Sequence, residues 1–213
     1  MAIFESNHPL VKHKISLLRE ASISVKSFRE LTKEIATMLT MEATSQLTLA
    51  NQSITCWSGE ISTPLLAQKQ PTLIPILRAG LGMLDGALTI IPCAKISVVG
   101  LQRNEQTLQP ESYYENVVSD VSTRTAIIID PMLATGGTAL ATINLLKRSG
   151  CTNIKALFLV AAPEGISLLQ KEHSDVDLFI GAIDERLDDN GYILPGLGDA
   201  GDKIFGTLYH LKK

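Results

Sequence analysis

The 213-residue sequence has few cysteines, and their placement argues against two kinds of cysteine site. Cys56, Cys93 and Cys151 are odd in number and lie far apart along the chain. Such spacing does not fit a disulfide framework or the paired ligands of a structural zinc site, so we expect reduced thiols. This cysteine usage is typical of a cytoplasmic protein.

Charge of one sign and long apolar runs are also scarce. The formal net charge is −3, without a block of like charges, which argues against a nucleic-acid surface. No window supplies the roughly 18 uncharged apolar residues of a membrane span. The opening MAIFESNHPLVKHK lacks the basic and apolar regions of a signal peptide. We therefore expect a cytoplasmic protein that binds neither nucleic acid nor membrane.

Internal repeats and low-complexity linkers are absent as well. The length suits one α/β domain with additions, or at most two small domains, and we expect a single domain over residues 1–213. Hydrophobic residues make up 45% of the chain, enough to bury a large core at this length. The first fifty residues show helical periodicity, and Ser27 with Glu30 forms a capping-box pattern for the second helix.

Further along, apolar runs alternate with amphipathic stretches, which predicts an α/β fold with a parallel sheet. The predicted strands are Thr72–Leu77, Ile96–Gly100, Thr125–Ile129, Ile154–Val160 and Val176–Ile180. The predicted helices after several of them are Gly82–Ile90, Gly137–Arg148 and Glu164–Gln170. The long polar segment Gln102–Asp120 predicts a hairpin arm or a flexible loop.

The strongest chemical signal lies where a predicted strand meets a predicted helix. The strand Thr125–Ile129 is followed by Asp130, and Thr135-Gly136-Gly137-Thr138 begins the helix. Glycines let backbone N–H groups approach an anion, and a helix N-terminus carries partial positive charge, so this loop is suited to bind phosphate. An ordinary strand-to-helix turn is the alternative, which the apolar strand and its terminal aspartate disfavour. The loop is not a nucleoside-triphosphate P-loop, because no Gly-Lys-Ser/Thr follows at the required spacing.

Three long motifs, taken together, resemble those of type I phosphoribosyltransferases and especially the uracil phosphoribosyltransferase family. They are ILRAGLGMLDG at Ile76–Gly86, DPMLATGGT at 130–138 and GYILPGLGDAGDKIFGT at Gly191–Thr207, and the opening HPLVKHKISLLRE is also similar. The resemblance covers nearly the full length. It implies a parallel Rossmann-like sheet flanked by helices, with an N-terminal helical and C-terminal hood and a β-arm.

The same resemblance implies an activity. The enzyme would transfer the phosphoribosyl group of 5-phospho-α-D-ribose 1-diphosphate (PRPP) to uracil, giving UMP and diphosphate. Mg²⁺ is the implied cofactor, held mainly through PRPP and without directly assigned protein ligands. A homodimer or a larger homo-oligomer is the implied assembly. Some relatives respond to GTP, a property that these motifs leave open.

The predicted site residues fall into three groups. Arg78 can grip phosphate oxygens with its planar guanidinium, and two glycines follow it. By resemblance it belongs to the pyrophosphate loop, Arg103 also reaches PRPP, and Asp199 approaches the ribose or the metal-bound diphosphate. Asp130, Arg78 and Asp199 are the predicted catalytic residues. The phosphate loop would bind PRPP through Asp130, Pro131, Met132, Leu133, Ala134, Thr135, Gly136, Gly137 and Thr138. The uracil site would consist of Ile193, Gly198, Asp199 and Ala200.

Two other functions remain open. The first is an enzyme of the same fold that acts on a purine or on orotate, which the C-terminal motif disfavours. The second is a regulator that binds PRPP without catalysis, or one that also binds RNA. The acidic balance argues against RNA binding, and the presence of Asp130, Arg78 and Asp199 argues against a catalytically dead protein.

Overall fold

The computed structural model shows a central, mostly parallel sheet. It describes residues 2–103 and 110–207, except for the side chains of Arg103 and Pro110. The helices are α1 (Pro9–Leu18), α2 (Val25–Thr44), α3 (Leu81–Ile90), α4 (Gly137–Arg148), α5 (Pro163–Glu172) and α6 (Ala200–Phe205). The strands are β1 (Ile3–Glu5), β2 (Leu49–Cys56), β3 (Gly59–Leu66), β4 (Thr72–Leu77), β5 (Lys95–Ile96), β6 (Val98–Arg103), β7 (Pro110–Asn116), β8 (Thr125–Ile129), β9 (Met132–Leu133), β10 (Asn153–Ala161), β11 (Asp177–Ile183), β12 (Arg186–Leu187) and β13 (Ile193–Leu194).

The strand order of the large sheet is β1-β11-β10-β8-β4-β6-β7, with β5 beside β4 and β9 beside β10. Its pairings are parallel except that of β6 with β7. The predicted α/β class is therefore confirmed, and the five predicted strands are present with small shifts of their ends. The predicted strand Ile96–Gly100 is interrupted at Ser97, which divides it into β5 and β6.

Apolar side chains cover both faces of the sheet. Along β8, Ile127 and Ile129 belong to one buried cluster, and Ile128 belongs to the other, as the alternation of a strand requires. The first cluster includes apolar residues of α1, α2 and α3, and the second includes those of α4 and α5. Fully buried strands with helices on both faces leave the strand ends as the place for a polar site.

The N-terminal region follows the prediction in outline and differs at two points. The helix α2 is capped by Ser24, whose hydroxyl accepts a hydrogen bond from the backbone N–H of Ser27 at 3.1 Å. The predicted cap at Ser27 is therefore wrong, because Ser27 already lies in the first turn. Strand β1 was not predicted, since three residues carry too little periodicity to be recognised.

Three antiparallel hairpins are present among the described residues, and the smallest consists of β12 and β13. The strands β2 and β3 pair around Trp57 and Ser58, in a region where no strand was predicted. The strands β6 and β7 pair across the segment where an arm or loop was predicted, and residues 104–109 between them lie outside the description. Within the described ranges, no helix is both long and apolar enough to cross a membrane.

Candidate active site

The two predicted phosphate loops leave the sheet side by side. Strands β4 and β8 are hydrogen-bonded neighbours, with Pro75 opposite Ile129. Because the two strands are parallel, Arg78 and Asp130 follow at the same edge of the sheet. Ligands of open parallel sheets bind beyond this carboxyl edge.

Backbone hydrogen bonds hold the first half of the phosphate loop in a fixed position. The N–H of Asp130 donates to the carbonyl of Leu157 at 3.2 Å, and β9 pairs with the end of β10. The N–H of Ala162 then donates to the carbonyl of Leu133 at 2.8 Å. The loop is thus an extension of the sheet up to the residue before Ala134.

The second half of the loop forms the start of α4. Gly136 is the N-cap with φ of +85°, a conformation that favours glycine, and no side chain in the described part of the chain caps this helix. Thr135 and Thr138 are exposed beside it. Backbone N–H groups at an uncapped helix start, flanked by hydroxyls, can bind the oxygens of a phosphate.

A glycine that the sequence analysis did not single out shapes this loop. A Cβ atom added at Gly165 would lie 2.4 Å from the carbonyl oxygen of Ala134 and 3.0 Å from Cγ of Leu133. The start of α5 therefore packs directly against the phosphate loop, at a distance that only glycine permits. Nothing local in the sequence marks this contact, because it joins segments about thirty residues apart.

The Asp130 carboxyl lies at the floor of the loop and is half-buried. It accepts a hydrogen bond from the backbone N–H of Met132 at 3.2 Å. Burial raises the pKa of Asp130 to about 7, and the Met132 hydrogen bond opposes that shift. A carboxyl group poised near neutral pH in a cleft is a candidate for a functional role.

The pyrophosphate-loop candidate turns tightly against β8. A Cβ atom added at Gly80 would lie 2.4 Å from the carbonyl oxygen of Ile129, so the two loops are in direct contact. The peptide bond between Leu77 and Arg78 is cis. The Arg78 side chain is 58% exposed and points to the C-terminal segment.

Two partners of Arg78 were not predicted from the sequence. Its Nη2 atom lies 3.4 Å from Oδ1 of Asp202, and its guanidinium lies over the ring of Phe205, 5.5 Å from the ring centre. Both residues belong to the Gly191–Thr207 motif, which was the available signal. Asp202 and Phe205 therefore connect this motif to the pyrophosphate loop.

The base-binding candidates lie on that C-terminal segment. Ile193 is buried in β13, the Leu194–Pro195 peptide bond is cis, and Gly198 has φ of +68°. Oδ1 of Asp199 accepts the N–H of Asp202 at 2.9 Å and so caps α6, whose first residue, Ala200, is fully buried. One carboxylate oxygen of Asp199 is thus already engaged in holding the backbone.

Close approaches show that the three motifs meet. A Cβ atom added at Gly191 would lie 3.7 Å from Cγ2 of Thr135, and one added at Gly201 would lie 3.9 Å from Cβ of Ala79. The structure thereby places the three motifs next to one another, and the side chain of Arg103 lies outside the described part of the chain.

The groups at the site that could bind a metal ion are separate carboxylates and do not form a cluster. Within residues 2–103 and 110–207, no group of three or more His, Cys, Asp or Glu side chains could hold a metal ion. Asp130 and Asp199 nevertheless supply carboxylate oxygens, the ligand type that Mg²⁺ prefers. These residues fit a magnesium ion that takes further ligands from a substrate diphosphate.

A glycine-rich loop after one strand, an arginine loop after its neighbour and a C-terminal segment that approaches both form the arrangement expected of a phosphoribosyltransferase. The fold agrees with this class. The chain is similar to a hypoxanthine phosphoribosyltransferase from Trypanosoma cruzi, with a TM-score of 0.51 and 9% identity over 78% of this chain and 76% of that one. It is also similar to a hypoxanthine-guanine phosphoribosyltransferase from Bacillus anthracis, with a TM-score of 0.50 and 10% identity over 75% and 80%.

The particular family follows from closer matches. Residues 5–207 match the uracil phosphoribosyltransferase family. The AQ2163 protein from Aquifex aeolicus is 38% identical, with a TM-score of 0.91 over 97% of this chain and all of that one. The chain belongs to the uracil phosphoribosyltransferase family, which confirms the resemblance seen in the motifs. It is a glycosyltransferase of nucleotide salvage that transfers a phosphoribosyl group to a nucleobase.

Proposed function

We propose that the nucleobase is uracil, so that the reaction converts uracil and PRPP to UMP and diphosphate. The observation that carries this proposal is the segment Ile193–Ala200, which bends at two glycines with positive φ, Gly196 and Gly198. Its flanking residues Gly191 and Gly201 lie close to Thr135 of the phosphate loop and to Ala79 of the pyrophosphate loop. Peptide groups without bulky side chains can approach a flat ring closely. Membership of the uracil phosphoribosyltransferase family supports the same choice.

The proposed roles follow the position of each group. Arg78 and Arg103 bind the phosphates of PRPP, and residues 131–138 enclose a phosphate at the start of α4. Asp130 faces the ribose hydroxyls. Ile193, Gly198 and Ala200 contact uracil mainly through backbone atoms, and Asp199 lies between base and ribose.

The chemistry requires charge stabilisation and no covalent intermediate with the protein. The bond from C1′ to the diphosphate oxygen breaks with inversion as N1 of uracil bonds to C1′, and the N1 proton passes to the diphosphate or to solvent. Positive charge develops on the ribose ring as the diphosphate leaves. The Asp130 carboxylate, in a half-buried position, stabilises that charge better than an exposed carboxylate would. Mg²⁺ would be held mainly through PRPP, with Asp130 and Asp199 able to add carboxylate ligands, and would supply positive charge to the leaving diphosphate.

The base preference tests this proposal. Uracil and cytosine differ at N3 and at position 4, where hydrogen-bond donors and acceptors exchange places. Two buried pairs would be mismatched with cytosine, and each unmet buried group costs about 1–3 kcal/mol. We expect kcat/KM for uracil to exceed that for cytosine by roughly 10⁴-fold or more. Assays of uracil, cytosine, orotate and purines with PRPP and Mg²⁺ measure this ratio, and comparable efficiencies with cytosine or a purine would contradict the proposal.

The assembly is also part of the proposal. The β2–β3 hairpin is mostly exposed, and Trp57 near its tip is 98% exposed. An isolated two-stranded hairpin is marginally stable in water, so cover from a second copy of the chain would stabilise it. We propose a cytoplasmic homodimer or larger homo-oligomer of a single catalytic domain over residues 1–213. Sedimentation equilibrium tests the assembly, and a monomer at all concentrations would contradict it.

A further inference from the structure

One ion pair binds both backbone polar groups of Gly196. The N–H of Gly196 donates to Oδ2 of Asp184 at 2.9 Å, and its carbonyl accepts a hydrogen bond from Nη1 of Arg19 at 2.8 Å. Arg19 and Asp184 themselves form a two-pronged pair, with Nη1 to Oδ2 at 2.9 Å and Nη2 to Oδ1 at 2.5 Å. The four bonds leave Gly196 little freedom to rotate.

The pair is protected from water and anchored at both ends. The Asp184 side chain is 3% exposed and that of Arg19 is 25% exposed. Asp184 follows β11, where its N–H donates to the carbonyl of Ala161 at 2.8 Å, and Arg19 is the C-cap of α1. The N-terminal helix, the end of the sheet and the C-terminal segment are thus joined at one point.

Gly196 lies within the segment assigned to the base, between Ile193 and Gly198. It has φ of +61°, and a Cβ atom there would lie 2.0 Å from the carbonyl oxygen of Ile193. Leu197 is 2% exposed in the core, whereas Gly198 and Asp199 are exposed, and Ala200 is again fully buried. The direction of the exposed backbone groups therefore depends on how Gly196 is held.

We propose that Arg19 and Asp184 are positioning residues for base recognition. By fixing Gly196, they orient the backbone groups that hydrogen-bond to the base. This inference rests on the proposed function, which assigns Ile193, Gly198 and Ala200 to uracil. Neither Arg19 nor Asp184 contacts the phosphate loops through any hydrogen bond among the described residues. Substitution of Arg19 or Asp184 should therefore weaken binding of the base and leave binding of PRPP unchanged.

The test compares Arg19→Lys and Asp184→Asn with the wild-type enzyme. Lysine keeps the charge and loses the planar fork, and asparagine keeps the shape and loses the charge. We expect KM for uracil to rise about tenfold or more, because small displacements of binding groups have large effects, while KM for PRPP changes by less than about threefold. The kcat/KM ratio of uracil to cytosine should fall in the same variants.

Two further variants make the result decisive. Lys14→Gln is the matched control, since Lys14 lies on the same helix and pairs with Glu34 at 2.5 Å, away from Gly196; it should leave both KM values and the base ratio unchanged. The double variant Arg19→Gln with Asp184→Asn leaves no buried charge unpaired and carries the comparison if a single variant does not fold.

The outcomes separate the two proposals. Equal rises in both KM values, or an unchanged KM for uracil in folded variants, would overturn the positioning role. Failure of the wild-type enzyme to use uracil would instead overturn the proposed function.

Discussion

Asp130 meets two opposing requirements, because the half-buried position that suits a developing positive charge is unfavourable for the ionised carboxylate itself. Its pKa is raised by burial from an ordinary 3.8 to about 7. Between these two values the folded chain binds more protons than the unfolded chain at this residue. The contribution of Asp130 to the free energy of unfolding therefore falls as pH rises from about 4 to about 7, and is constant above that.

Asp130→Asn should separate activity from stability. We expect kcat to fall at least about tenfold, which corresponds to roughly 1.4 kcal/mol in the barrier, because a charged contact to the ribose is lost. At pH 8 the variant should unfold at a higher temperature than the wild type, because asparagine removes the cost of ionising a carboxyl whose pKa is raised by burial. The gain should be smaller at pH 5.

Steady-state kinetics and thermal unfolding at the two pH values check this prediction. Wild-type kinetics in a folded Asp130→Asn protein would contradict the role of Asp130. The difference in unfolding temperature between the variant and the wild type should be larger at pH 8 than at pH 5. A smaller difference at pH 8 would contradict burial as the cause of the pKa shift.

Arg78→Ala should weaken binding of PRPP more than binding of the base. The guanidinium that we assign to phosphate oxygens is lost, so KM for PRPP should rise about tenfold or more, with KM for uracil changed by less than about threefold. Stability should change little, because the pair with Asp202 is exposed and such pairs contribute little. Both Michaelis constants are measured beside those of Arg148→Ala, an exposed arginine at the end of α4. An effect confined to uracil would show that this loop serves the other substrate.

At the scale of elements, the strands and helices that carry the phosphate loops could be predicted almost to the residue. The strands β4 and β8 are continuous apolar runs, and α4 has an amphipathic pattern after two glycines, so local sequence is sufficient. The hairpin β2–β3 could not be predicted, because its exposed strands show no apolar alternation.

The contacts that assemble the site escaped sequence reasoning for a different reason. The pairs of Arg19 with Asp184 and of Arg78 with Asp202 join residues more than a hundred positions apart. No local pattern encodes such contacts, since they depend on how the elements pack. The cap of α2 was assigned to Ser27 because the spacing to Glu30 fits a capping box, whereas Ser24 performs that role.

Gly165→Ala tests the contact between α5 and the phosphate loop. Alanine favours helix by up to about 1 kcal/mol over glycine, so the helix itself should not suffer. The added Cβ would meet the carbonyl oxygen of Ala134 at 2.4 Å and must displace the loop. We expect kcat/KM for PRPP to fall about tenfold or more, as small displacements at a site cost large factors.

Ser167→Ala, at an exposed position of the same helix, is the control and should keep wild-type kinetics. Unchanged kinetics in Gly165→Ala would mean that the loop can shift without functional consequence.

At the scale of the whole molecule, the charge of PRPP determines whether a divalent metal ion is required. PRPP is highly anionic, and the two arginines assigned to it, Arg78 and Arg103, carry too little positive charge to neutralise its phosphate groups. We expect activity to disappear in excess EDTA and to return with Mg²⁺ or Mn²⁺. The unfolding temperature without PRPP should be unaffected by EDTA, because the described residues contain no metal-binding cluster. Full turnover in excess EDTA would contradict the requirement for a metal.

The pairing of β1 with β11 has a consequence for synthesis on the ribosome. Ile3 is opposite Leu178, and Arg19 pairs with Asp184, so these residues need partners that are synthesised about 170 residues later. At about 5–20 residues per second, the N-terminal strand waits roughly 9–35 s for its neighbour. During that interval the apolar sides of α1 and α2 have no completed sheet to cover them. We expect nascent-chain chaperones to engage these two helices, and the base site to form only after Asp184 and the segment Ile193–Ala200 have left the ribosome.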